Sequence, residues 1–162
     1  ATVADPGRAT ATASDWVFDD NAFGFGLGAQ RDIGEGLILG VEGSFARPRY
    51  ERRVAGVAIP GASGTASIVT GMATGRFAYG GAAALGFYLN GGIGTIAYNL
   101  EDIGEWNADF ALRAGTGLEY RFAPTRAVFL EWGRIWGYHE REGVGGGAVQ
   151  HGVLKLGFRA GR

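Results

Sequence analysis

Side chains alternate at a period of two through most of this chain, and that alternation restricts it to extended strands. Residues 107–122 carry it most clearly. Ala108, Phe110, Leu112, Ala114, Leu118, Tyr120 and Phe122 fall on one face. Asn107, Asp109, Ala111, Arg113, Gly115, Gly117, Glu119 and Arg121 fall on the other. The same pattern recurs over 21–32, 37–46, 67–79, 84–98, 127–138 and 149–160, which predicts seven strands. An eighth is expected over 8–18, where alternation of Ala with Thr and Ser is weak.

The connections differ in length from one end of these strands to the other. Short ones fall at Ile33–Gly36, Gly80–Ala83 and Ala123–Thr125, and long ones at 53–66, 99–106 and 140–148. Hairpins in series without a helical segment predict an all-β, up-and-down antiparallel barrel of about eight strands. The 162 residues form one expected domain, with residues 1–20 as a tail, a loop or the weak first strand.

Composition decides which kind of barrel. Glycine is abundant, with 31 residues, and no repeat of three accompanies it, so a collagen helix is excluded. There is no cysteine for a disulfide or a thiolate zinc site. A formal net charge of −1 gives no electrostatic reason for a nucleic-acid partner. No apolar run approaches the roughly 20 residues of a membrane helix. No basic and then apolar leader opens the chain, which suits Ala1 as the first residue of a mature, exported protein.

The bulky face is apolar on strand after strand, and the opposite face is Gly, Ala, Ser and Thr with scattered charges. A soluble barrel would turn the bulky face inward and leave much of its outer wall glycine, which weakens a strand. Turned outward, the same face suits lipid, and closure of the barrel pairs every backbone group in hydrocarbon. A transmembrane β-barrel of the bacterial outer membrane is therefore expected. Glu42, Arg76, Arg113, Glu119, Glu131, Lys155 and Arg159 all fall on the Gly-rich face and are expected to form an ion-pair network in the lumen. Hairpins centred near Ile59 and Gly145 would set Glu42 opposite Arg76, Glu131 opposite Arg159 and His139 opposite His151.

Several segments carry a family likeness. Leu39–Gly43, Thr74–Tyr79, Leu89–Gly94, Gly115–Tyr120, Phe129–Trp132 and Leu154–Gly157 resemble successive strands of the eight-stranded outer-membrane porin-like and opacity-protein family. A more distant likeness is to the OmpA transmembrane domain. The resemblance spans most of residues 21–160 and implies a plugged eight-stranded barrel. It places Glu42, Arg76, Glu131 and Lys155 at lumen-facing charged positions, and it implies no single activity. The chain departs from the family at both ends. It closes on Ala160-Gly161-Arg162 without the terminal aromatic residue, and residues 1–20 lack a strong first strand. The natural chain is thus expected to extend beyond both ends, or else the barrel closes with an unusual first strand.

The remaining motifs have plain readings. Gly24-x-Gly26-x-Gly28 and Gly91-Gly92-x-Gly94 lead into no helix and so make no phosphate loop. Gly71-x-x-x-Gly75 lies in a strand, where a helix-pairing motif has no meaning. Trp132, Arg134, Trp136 and Tyr138 share the outward face near the loop end and read as a lipid-interface girdle, with Arg134 reaching headgroup phosphate. His139 and His151, with Glu140 and Glu142, are weak zinc candidates that lack defined third and fourth ligands. None of Ser14, Ser44, Ser63 and Ser67 is near either histidine in sequence, so no catalytic site is expected. No cofactor is expected. The expected partners are outer-membrane lipid, lipopolysaccharide included, and a protein met through the surface loops or a larger membrane assembly. The leading reading is a structural or surface-interaction barrel. A narrow diffusion pore, a lipid-modifying enzyme and a soluble lipid-binding barrel are the alternatives.

Overall fold

The computed structural model describes residues 2–4, 14–18, 22–54, 57–79, 84–101, 104–141 and 144–160. Among the described residues ten strands follow one another: β1 (Thr2–Ala4), β2 (Ser14–Phe18), β3 (Gly24–Gly34), β4 (Leu37–Ala46), β5 (Arg49–Val54), β6 (Val57–Tyr79), β7 (Leu85–Leu100), β8 (Trp106–Ala123), β9 (Arg126–Arg141) and β10 (Val144–Ala160). All pair antiparallel in one sheet, with no helix among the described residues. β6 is long enough to take two partners on one edge, β4 along Ile68–Phe77 and β5 along Val57–Thr65. β2 pairs β5 as β3 pairs β4, so β2 and β3 lie end to end along a neighbour that is itself broken at Arg47-Pro48.

The turns follow from local chemistry. β3 and β4 are joined through Glu35 and Gly36, at φ 53° and 80°. Two positive φ values match the right-handed twist of a hairpin, and Gly36 adopts its own without steric cost. The Asp32 carboxylate accepts the Gly34 N–H at 2.8 Å and stiffens the approach to the turn. β8 and β9 are joined by Pro124-Thr125, with proline supplying the fixed φ of a turn's first central residue.

The sheet curls into a half-barrel. The Lys155 ammonium on β10 meets the Glu42 carboxylate on β4, five strand positions away across the sheet. In a flat sheet those strands would stand about 24 Å apart, at about 4.8 Å per step. The concave face holds the buried residues and the convex face the exposed Leu, Phe, Trp, Tyr, Ile and Val. The expected faces are therefore the observed ones.

The registers differ from those expected. Glu42 lies opposite Met72 rather than Arg76, and Glu131 opposite Lys155 rather than Arg159. His139 lies opposite Gly147, and His151 opposite Ile135. Each hairpin closes about two residues from its assumed midpoint, because the ladders run on into the segments read as loops. An even slip leaves every residue on its own face, so the polarity survives it.

Two of the three expected long loops are largely strand. In the 53–66 stretch, β5 and β6 continue the ladder almost to residues 55–56, with a bulge where Glu51 pairs Ser63 and Arg53 pairs Ala58. The bulge holds Pro60, which has no N–H to donate, and Gly61 at φ 79°. In the 140–148 stretch, β9 and β10 run to Arg141 and from Val144. Pairing satisfies backbone groups that an open loop would leave to water. In the 99–106 connection, β7 runs to Leu100 and β8 starts at Trp106. Within the expected eighth strand over 8–18, Ser14–Phe18 is strand and prolongs β3 instead of adding a column, while residues 8–13 lie outside the described residues.

Candidate functional site

The interior is built in two layers. Nearest the short turns it is ionic. The inward positions of β4, β6, β7, β8, β9 and β10 bring Glu42, Arg76, Tyr88, Arg113, Glu119, Glu131, Lys155 and Arg159 together there, with Glu131 directly opposite Lys155. Glu119 accepts from three cations: Arg76 at 2.6 Å, Arg121 at 3.0 Å, and Arg159. Glu42 accepts from Arg113 at 2.9 Å and from Lys155. Arg113 also meets Glu131. All seven charges expected in the lumen lie in this network, with partners other than those the assumed registers gave: Arg76 reaches Glu119, and Glu42 is held by Arg113 and Lys155.

Two residues of the network were not singled out in the sequence. Arg121 is half exposed at its turn-end margin. Tyr88 is at its centre, with its hydroxyl donating to Glu131 at 3.1 Å. The Arg76 and Arg159 guanidinium carbons stand 4.6 and 5.4 Å from the Tyr88 ring centroid, on the attractive π system of a buried ring. A signal for Tyr88 was present: it is the one bulky residue among the inward positions 86–94 of β7, where the others are Gly86, Asn90, Gly92 and Gly94. Gly117 lies directly opposite, and a Cβ there would overlap the ring. Gly157 serves Phe129 in the same way, and Arg159 lies 4.4 Å from the Phe129 centroid. Glycine at these two positions makes room for an aromatic ring across the ladder.

Toward the long connections the interior is apolar. Ile68, Met72, Ile96, Ala111 and Ile135 form a buried cluster, with Tyr98 and Val153 against it. This corrects the expectation of an inward face made only of small residues and charges. Polar pairs remain at its border, where Ser44 and Thr70 hydroxyls meet at 2.5 Å and Tyr98 donates to Asp109 at 2.7 Å. Both layers fill the interior with side chains, as a narrow barrel requires.

Comparison with family models, with curated proteins and with solved structures found no match. The geometry therefore carries the functional reading alone.

The convex face has its own order. Trp132, Arg134 and Tyr138 project outward from β9 and are exposed, and Trp136 between them is partly covered. Arg134 Nη1 is 3.5 Å from the Gln150 amide oxygen. Phe110 and Tyr138 pair at 6.4 Å in this band. A second band at the turn end includes the Phe77–Tyr79 pair at 4.9 Å and the Phe122–Phe158 pair at 6.2 Å. Leu89, Ile93, Leu118 and Leu130 lie between the bands and are exposed. His151 points inward on β10, while the side chains of His139, Glu140 and Glu142 lie outside the described residues. Among the described residues, no three of His, Cys, Asp and Glu gather as a metal site. Ser44 is engaged with Thr70.

Proposed function

We propose that the protein is an integral β-barrel of a bacterial outer membrane, plugged by its own side chains, that holds its loop-end hairpins at the cell surface. The observation that supports this most is the exposed apolar belt between two aromatic bands, set against a charged interior. A soluble protein seldom exposes so continuous an apolar surface, whereas a membrane barrel requires one. The three polar-to-apolar contrasts agree with lipid outside: charge within, hydrocarbon-like residues on the wall, aromatic rings at both margins.

The role is structural or one of surface interaction. A narrow pore is disfavoured by ion pairs that join non-neighbouring strands across the lumen, and no enzyme chemistry is assigned. Its contacts are outer-membrane lipid, lipopolysaccharide included, and a protein partner met at the surface hairpins. Arg134 stands eight residues above Arg126, about 26 Å along the strand, which suits a headgroup phosphate at the loop-end interface.

The test is biochemical. Folded protein in detergent is expected to migrate differently from boiled protein on a denaturing gel, and to show no steady conductance in a planar bilayer. Folded, monomeric protein extracted into detergent-free buffer would contradict the membrane reading. Steady ion conductance would replace the plug with a pore.

A further inference from the structure

Among the described residues the sheet has two free edges: β3 pairs only β4, and β10 only β9, along most of their lengths. Outward leucines measure what is missing there. Leu89, Leu118 and Leu130, with a strand on each side, are 46–48% exposed, while Leu27 on β3 and Leu154 and Leu156 on β10 are 72–83% exposed. Each seam leucine lacks the neighbours that a flanking strand provides.

Direction shows why β3 and β10 do not simply pair with each other. Starting from the turn end, β4, β7 and β9 run toward the loops, whereas β3, β6, β8 and β10 run toward the turns. The two edges are therefore parallel, and an antiparallel barrel of seven columns cannot close on itself. One further column running toward the loops satisfies both edges. A second copy does not supply it, since copies that share one orientation in a membrane present edges running the same way.

β1 lies in line with that column. It pairs β2 antiparallel, with Thr2 opposite Val17 and Ala4 opposite Asp15, and it also approaches β10. It runs toward the loops, and β2 is collinear with β3. Continued backward from Thr2, the β1 path descends between β3 and β10. We infer that the seam is filled by a strand of roughly 15 residues preceding Ala1, continuous with β1 and hydrogen-bonded to both β3 and β10, a length set by the span from Val17 to Gly34 at equal rise in paired strands. The inference rests on the membrane reading, because in hydrocarbon unpaired edges have no water to turn to. The strand alternates apolar residues, in phase with Leu27 and Leu156, with small or polar ones facing the lumen.

Hydrogen exchange in micelles tests it, on the 162-residue chain and on chains extended through the natural reading frame before Ala1 or after Arg162. In the 162-residue chain, every second amide of Gly24–Gly34 and Gly152–Ala160 is expected to exchange freely. The upstream extension is expected to slow those amides by at least about 100-fold. Several results would overturn the inference: no alternating segment upstream, no slowing by the upstream extension, slowing by the downstream extension instead, or amides already slow in the shorter chain. Loss of the heat-dependent gel shift on upstream extension would also overturn it. A gel shift absent from every chain strikes the membrane reading, whereas a shift with unprotected seam amides strikes only the strand.

Discussion

The two layers of the interior fill the same narrow space by different physics. At the turn end, Glu119, Glu42 and Glu131 gather Arg76, Arg113, Arg121, Lys155 and Arg159, some from the same or the next strand and others, such as Lys155 on Glu42, from five strands away. Toward the loops, Ile68, Met72, Ile96, Ala111 and Ile135 meet without direction or charge. Ion pairs are directional and costly to leave half made, so the lower layer fixes the curl of the sheet. Apolar packing tolerates adjustment and excludes water, so the upper layer seals. The difference teaches that one lumen holds its shape at one end and is made dry at the other.

The largest effect is expected in the ionic layer. Glu119→Gln removes the charge that three cations share, and is expected to cost about 3–5 kcal/mol in urea unfolding from micelles. Partner removal sharpens the point: Glu42→Gln is expected to destabilise more than Glu42→Gln combined with Lys155→Met, because the double change leaves one fewer uncompensated cation. Equal costs would show that lumen water already screens the pair.

Ile96→Ala probes the sealing layer and is expected to cost about 2–4 kcal/mol through lost contacts and a cavity. Its effect is expected to be independent of salt concentration. A cost well above that of Glu119→Gln would reverse the comparison.

Gly117→Ala tests how closely the Tyr88 ring is fitted to the opposing strand. It is expected to cost about 1–3 kcal/mol, and Gly117→Ala combined with Tyr88→Leu less than the two separate costs added. Arg134→Ala, on the outward wall, is the smallest, within about 0.5 kcal/mol. Additive costs for the Gly117 and Tyr88 changes would separate the ring from the glycine.

The fold was legible because a period of two fixes a residue's face whatever the register. Arg113 and Glu131 could be assigned to the lumen by parity alone, and they meet there. Their partners were not legible, because a hairpin's centre depends on how far its ladder climbs into the connection. The Pro60-Gly61 bulge, for example, displaces the β5–β6 pairing in a way that spacing does not report. The apolar layer was hidden for another reason. Ile96 stands between the outward Thr95 and Ala97, and Ile135 between the outward Arg134 and Trp136, so alternation loses its contrast there. Tyr88 stood out by size, but its role depends on Arg76 on the neighbouring β6 and on Arg159 on β10, three strands away, a meeting that only the curl of the sheet provides.

The central claim is that the exposed leucines of the convex wall face lipid. The chain has no cysteine, so a single nitroxide label can be placed cleanly at Leu89, Leu118 or Leu130 in protein reconstituted into lipid vesicles. Relaxation by oxygen, which concentrates in hydrocarbon, is then compared with relaxation by a water-soluble nickel chelate. The account predicts that oxygen dominates at all three sites and the chelate dominates at a label near the loop end, such as Glu101. Chelate-dominated relaxation at Leu118 would contradict it.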